Sequence, residues 1–191
     1  MSVSKINIAV AGGQCTGKST LSAALFFNQK IKGYDFDLIG EESRKLKSEF
    51  GDYKSPFERF YMWRQQQREE DRSTAVNGFV TDTPLFHFYI SARMHSTEPR
   101  DNLAVRELFR MCLEQENRYQ LIAIADNPEE IPYKFDSCRQ GERERAIMRH
   151  NSTRSFIDHF FPKIILPVSG SVEERVKQVN MKLEEMRRIE L

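Results

Sequence analysis

The chain has 191 residues, with 29 basic side chains against 28 acidic ones and a formal net charge of +1. So even a balance excludes a global electrostatic attraction to nucleic acid or an anionic membrane, and any polyanion site has to be a local concentration of charge. Cys15, Cys112 and Cys138 lie without CxxC spacing or a companion histidine cluster, which argues against a disulfide framework and structural zinc and for free thiols in a reducing compartment.

The length suits one domain, residues 1–191. No apolar run approaches membrane-spanning length, and the N-terminus lacks the layout of a signal peptide. The expected location is the cytoplasm.

Ile6 to Ala11 is a short apolar strand that runs into Gly12, and from Lys18 the periodicity turns helical, with Leu21, Ala24, Leu25 and Asn28 at helical spacing. Between them lies "GGQCTGKST", in which Gly12-x-x-x-x-Gly17-Lys18-Ser19 fits the P-loop pattern, with a strand before it and a helix after it. The glycines let the loop curl so that successive backbone N–H groups face phosphate oxygens. The residues expected to line that cradle are Gly12, Gly13, Gln14, Cys15, Thr16, Gly17, Lys18, Ser19 and Thr20. The helix N-terminus adds its dipole, Lys18 reaches the β- and γ-phosphates, and the Ser19 hydroxyl binds Mg²⁺. The motif predicts ATP with Mg²⁺.

A second strand spans Phe36 to Ile39, followed by Gly40 and "EESR". Ligands of an open parallel sheet sit beyond the carboxyl ends of its strands, so Glu41 and Arg44 are candidates. The carboxylate can orient or deprotonate an acceptor hydroxyl, and the arginine can grip an anionic or polar acceptor. The same residues also suit the acidic first turn of a surface helix. Residues 56–76 read as a long polar-faced helix with Phe57, Phe60, Tyr61 and Trp63 near its start. Its "RQQQREEDR" stretch faces solvent, with Gln65 or Glu69 the candidates to point inward. Asn77-Gly78 then breaks the helix.

Phe79 to Asp82 is a third strand, with Thr83 as N-cap and Pro84 at the first position of the next helix. Asp82 at a strand end near a P-loop can hold Mg²⁺ through water or act as a base. The helix "LFHFYISARMH" is apolar nearly all round and is expected to be buried. Another helix covers 101–119, and the strand "YQLIAIAD" follows, ending on Asp126, the second-ranked metal-binding aspartate, ahead of a turn at Asn127-Pro128.

Residues 139–154 hold five arginines and two glutamates, the strongest charge concentration in the chain. Arg139, Arg143, Arg145 and Arg149 fall on one or two adjacent helix faces, as in a lid, over about residues 136–160, that closes on transferring phosphates. Two other readings fit: a solvated face with local pairing to Glu142 and Glu144, and a contact strip for a nucleic-acid backbone. A fifth strand covers 163–168, and Ser171 with Glu174 forms a capping box for a final helix over 172–188. His87, His95, His150 and His159 show no metal-ligand spacing. Strands alternating with helices predict a one-domain α/β protein, a five-stranded parallel sheet with helices on both faces.

The order of P-loop, "EESR", a Gln-rich helix, "VTDT" and "DNPEEIPYKFDSCRQ" resembles the ribosylnicotinamide kinase domain of bacterial bifunctional NAD-synthesis proteins. It is also similar to the wider P-loop nucleoside and nucleotide kinase group. The elements that carry the resemblance are Pro128, Ile131-Pro132 and Asp136 with Arg139. It implies a P-loop NTPase fold, with Glu41 and Asp82 as acidic active-site groups and Arg44 holding the acceptor. It further implies a lid of Arg139, Arg143 and Arg145, and adenine near Ser169-Gly170-Ser171. The expected reaction is transfer of the γ-phosphoryl of ATP to a hydroxyl of a nucleoside- or nucleotide-like small molecule. Lys18 and Arg139 stabilise the migrating charge, and Ser19 and Asp82 bind metal. Two alternatives stand beside it: a kinase for a hydroxymethylated pyrimidine in DNA, as in certain bacteriophage P-loop kinases, and a regulatory ATPase without an acceptor.

Overall fold

The computed structural model describes residues 5–40, 55–125 and 143–189. In chain order the elements are β1 (Ile8–Ala11), α1 (Lys18–Ile31), β2 (Phe36–Ile39), α2 (Glu58–Asp71), β3 (Gly78–Thr81), α3 (Phe86–His95), α4 (Asp101–Leu113), β4 (Leu121–Ala125), α5 (Arg143–Phe160), β5 (Ile165–Val168) and α6 (Val172–Ile189). The sheet order is β2-β3-β1-β4-β5, and every pairing is parallel.

Strands β1, β3 and β4 are buried along their whole length, as strands covered on both faces must be. Alternation along β1 divides the core. Ile8 and Val10 face a layer built with Leu21 and Leu25 of α1 and Val179 and Leu183 of α6. Ala9 and Ala11 face the other way, toward Phe86 and Ile90 of α3 and Phe156 and Ile157 of α5. The second layer is tight and aromatic: the Phe86 ring centroid lies 5.8 Å from that of Phe156 and 5.8 Å from that of Phe161. Truncating such a ring to alanine costs about 3–5 kcal/mol. Met62 and Trp63 of α2 pack with Leu85, Phe88 and Leu108 in a satellite cluster that holds α2 against α3 and α4.

The register sets up the site. Ala9 of β1 pairs with Thr81, the last residue of β3, and Ala11 pairs with Ile124 of β4. The loop after β1 therefore leaves the sheet between the carboxyl ends of β3 and β4.

All five strands lie where the sequence predicts them, and the capping box forms. The Ser171 amide donates to Glu174 Oε2 at 2.7 Å, and the Glu174 amide donates to Ser171 Oγ at 3.2 Å. Two expectations are corrected. The helix expected over 101–119 ends at Leu113, where the backbone passes into turns whose Gln115, Glu116 and Arg118 amides donate to carbonyls three residues back. Thr83 is not the N-cap of α3. That helix begins at Phe86 with no side-chain cap, and the Thr83 hydroxyl donates instead to Asp82 Oδ1 at 3.3 Å.

Candidate active site

The loop from Gly12 to Gly17 adopts conformations that its residues were expected to supply. Gly12 has φ 130° and Gly17 φ 75°, and Cys15 joins them in the left-handed region at φ 60°. A side chain at position 12 or 17 would be strained, whereas glycine adopts these angles freely. The turn is closed internally on one acceptor: the Gly13 carbonyl accepts from Thr16 Oγ1 at 3.0 Å and from Lys18 Nζ at 2.5 Å. Helix α1 starts at Lys18 with no acidic residue in its first turn, so the positive end of its dipole faces the loop unopposed by a carboxylate there. Ser19 and Thr20 are exposed.

The loop is held from both faces of the sheet. On the α6 side, Arg175 donates from Nη1 to the Thr16 carbonyl at 3.3 Å and from Nε to the Gly170 carbonyl at 2.9 Å. This ties the turn after β5 to the loop. On the α3 and α5 side, the Gly12 amide donates to His87 Nε2 and the Gly13 amide to His150 Nδ1, each at 3.4 Å. His87 is fully enclosed. Burial holds its pKa well below the ordinary imidazole value, and the nearby charges of Lys18, Arg149 and His150 push it further in the same direction. Helix α5 sits directly on the loop: a Cβ built on Gly13 would come within 2.3 Å of the Ala146 carbonyl.

Asp82 is buried at the end of β3, the strand beside β1. Behind it runs a chain of buried polar groups. Thr81 Oγ1 accepts from the Thr83 amide and from Gln66 Nε2, both at 3.2 Å. Gln66 and Glu70 are the inward residues of α2, a correction to the expectation for Gln65 or Glu69. Glu69 instead pairs with Arg72 at the surface. The Glu70 carboxylate accepts from Tyr119 Oη at 2.9 Å and from Arg118 Nη1 at 3.2 Å. Tyr119 Oη in turn accepts from the Leu85 amide at 2.9 Å. The turn that carries Asp82 is thus pinned at both ends.

Of the residues singled out in the sequence, the structure brings together Gly12 to Thr20 in one loop and places Asp82 on the adjacent strand end. Arg143, Arg145 and Arg149 all lie in the first two turns of α5, whose Ala146 and His150 touch that loop. Glu41, Arg44, Asp126, Asp136 and Arg139 lie outside the described residues, as does the first part of the expected lid. Among the described residues no three His, Cys, Asp or Glu side chains form a metal-binding group. Mg²⁺ needs no such group, because it is commonly held by one or two protein oxygens together with phosphates and water. A Ser19 hydroxyl and an Asp82 carboxylate are hard oxygen donors of that kind. His87 and His150 escaped the sequence reading, since nothing local marks a histidine whose partner is 75 or 137 residues away.

No helix among the described residues is long and apolar enough to cross a membrane. Solved structures confirm the fold. The crystal structure of NadR protein in complex with NAD and AMP-PNP superposes with a TM-score of 0.73 at 17% identity, covering 93% of this chain and 49% of that one. The chain therefore spans about half the length of NadR. Deoxyadenosine kinase from M. mycoides with bound dATP gives a TM-score of 0.68 at 16% identity, covering 94% of this chain and 99% of that one. No curated protein matches the chain. The sheet order, the loop and these likenesses together are those of the P-loop NTPase fold. A family profile described as AAA domain matches residues 7–175, and the chain belongs to that family.

Proposed function

We propose that this protein is a kinase that moves the γ-phosphoryl group of ATP to a hydroxyl of a small nucleoside- or nucleotide-like molecule. The observation that carries the proposal is the side-by-side placement of two strand ends. One bears a glycine loop with Lys18 at its helix start, and the other bears the buried carboxylate of Asp82. Phosphoryl transfer asks for positioning and charge neutralisation more than covalent chemistry. The loop amides and the α1 dipole seat the triphosphate, and Lys18 exchanges the Gly13 carbonyl for phosphate oxygens. Asp82 faces the acceptor and orients or deprotonates its hydroxyl. Arg143 and Arg145, at the start of α5, neutralise charge on the transferring group together with Arg139, and Glu41 and Arg44 hold the acceptor. Arg175 and the Ser169-Gly170-Ser171 turn border the place for the adenine. When bound, Mg²⁺ would be held by Ser19 and Asp82 and would screen the phosphate charges. A cytoplasmic location fits a protein that uses ATP and carries free thiols.

The structural relatives support the choice of acceptor class. NadR is seen in complex with NR, and deoxyadenosine kinase with dATP or with products dCMP and dCDP. dATP, dCMP and dCDP are small nucleotides.

The test is incubation with γ-labelled ATP and Mg²⁺ against nucleosides, nucleotides, ribosylnicotinamide and hydroxymethylated DNA, with Lys18→Ala as control. Label on one of the small molecules, lost in the control, is the expected result. Label on DNA alone would move the acceptor to the polymer. Release of free phosphate whatever hydroxyl compound is added would make the protein an ATPase and overturn the proposal.

A further inference from the structure

The two imidazoles on the loop belong to no part of the chemistry above. His87 projects from α3, the helix that follows Asp82, and His150 from α5, the helix that begins with Arg143 and Arg145. Each meets a different amide at the start of the loop. The Gly12 amide donates to Nε2 of the first ring, and the Gly13 amide donates to Nδ1 of the second. A neutral imidazole has one N–H and one bare nitrogen. Acceptance by Nε2 therefore puts the His87 proton on Nδ1, and acceptance by Nδ1 puts the His150 proton on Nε2. A second proton on either ring would remove the acceptor. Burial and the neighbouring Lys18 and Arg149 charges oppose that proton on His87.

Packing at this point is close. A Cβ on Gly12 would lie 3.1 Å from His150 Nδ1, and one on Gly13 would lie 3.0 Å from His150 Cβ as well as against the Ala146 carbonyl. The glycines permit the approach, and the rings use it.

We propose that His87 and His150 are positioning residues for the phosphate site, each presenting a bare ring nitrogen to one of the first two loop amides. The pair fixes the direction in which the loop leaves β1. It also fastens the helix after Asp82 and the arginine-bearing helix to the same two residues of backbone. Movement of α5 relative to the loop is thereby limited to motions that preserve or break one identifiable bond. This inference rests on the kinase reading for its functional consequence, but not for its geometry.

The experiment exploits the position of the acceptor atom. Glutamine carries its amide oxygen at the ε position and asparagine at the δ position, so His87→Gln and His150→Asn keep an acceptor where each ring has one. His87→Leu and His150→Leu do not. Calorimetric titration with Mg·ATP, and kcat and KM for transfer, are measured on all four variants. The leucine variants are expected to lose tenfold or more in ATP affinity or kcat, with the glutamine and asparagine variants within about threefold of wild type. In parallel, ¹⁵N spectra of the histidine rings in the wild-type protein should show Nε2 of His87 and Nδ1 of His150 without protons. The proposal is overturned by folded leucine variants that match wild type, by acceptor-keeping variants as poor as leucine, or by protons on those two nitrogens. If the leucine variants do not fold, the ring spectra alone decide. A wild-type protein that binds no ATP would overturn the kinase reading, and the ring spectra would still decide the loop contact.

Discussion

The carboxylate of Glu70 and the phenol of Tyr119 meet at 2.9 Å inside the protein, between α2 and the start of β4. Burial raises the Glu70 pKa from 4.5 to about 7, against the opposing effects of Arg118, Tyr119 and Gln66. Tyr119 is raised as well, by its own burial first and the Glu70 charge second. One carboxyl group thus holds Tyr119, which fixes Leu85, and Gln66, which fixes Thr81.

The raised value makes a prediction about pH. Between about 4.5 and 7 the folded protein holds the Glu70 proton more tightly than the unfolded chain does. The stability it contributes is fully present below the unfolded value and is lost as the pH rises through the folded one. The difference is on the order of 3 kcal/mol. Glu70→Gln removes this titration while keeping the shape of the side chain. Urea denaturation at steps from about pH 4.5 to 8 should show wild type losing stability relative to Glu70→Gln up to about pH 7, with the difference levelling off above it. Parallel curves for the two proteins would sink the assignment.

Lys18 is the first residue of α1, and its ammonium rests on the Gly13 carbonyl. In the proposed reaction it is the group that follows charge onto the β- and γ-phosphates. Lys18→Ala should reduce transfer by about 10³-fold or more, on the scale of losing a cation that stabilises transferring phosphate. It should leave the melting temperature within a few degrees, since the side chain is only half-buried. A steady-state rate and a thermal melt on the same preparation separate the two effects.

The sequence carried the sheet well, because buried strands announce themselves as short apolar runs and helices as a change of period. The phosphate loop was legible for another reason: its residues are contiguous, and its conformation follows from two glycines. Gln66 and Glu70 show the middle case. Met62 and Trp63 mark the buried face of α2, and residues four and eight positions on from Met62 share it. The polar pair could have been placed from that stripe, but the run of charge around it reads as solvent-facing. His87 and His150 show the opposite limit, because what makes them matter is the meeting of three elements at the end of β1. Thr83 failed differently. Its sequence suits a cap, but the hydroxyl finds the neighbouring Asp82 carboxylate before it can reach a helix amide.

Gly13 and Gly17 differ in what a methyl group would meet, and the difference gives a paired prediction. At Gly17 a Cβ would meet, among the described residues, only Arg175 Nη1 at 3.7 Å, so the cost of alanine expected there is the strain of φ 75°. At Gly13 a Cβ would strike the Ala146 carbonyl, and backbone atoms of a packed helix cannot turn aside as a flexible side chain can. Gly13→Ala should destabilise the fold by about 1–3 kcal/mol, the range for forcing an extra methyl into a close-packed site. It should also weaken ATP binding by displacing α5 from the loop. Denaturant melts and calorimetry on Gly13→Ala would test this; stability and ATP affinity equal to wild type would mean that α5 does not rest on the loop in solution.

Asp82 is the group to which the kinase reading gives the role of base. Its carboxylate is buried at the end of β3, takes the Thr83 hydroxyl at 3.3 Å and sits on the turn held by Thr81 and Tyr119. If it orients or deprotonates the acceptor, Asp82→Asn removes the base while keeping the size of the group and an oxygen for Thr83. General-base contributions are about 10²–10⁴-fold, so kcat for transfer to the acceptor should fall by at least about 10²-fold. Affinity for ATP without metal should hold within a few-fold, because the loop amides and Lys18 do not depend on this carboxylate. With Mg²⁺ present a further loss of ATP affinity is expected if Asp82 also helps to hold the ion, and comparing titrations with and without Mg²⁺ isolates that share. A variant that transfers phosphate at the wild-type rate would take Asp82 out of the chemistry and leave the role of base to a residue elsewhere in the chain.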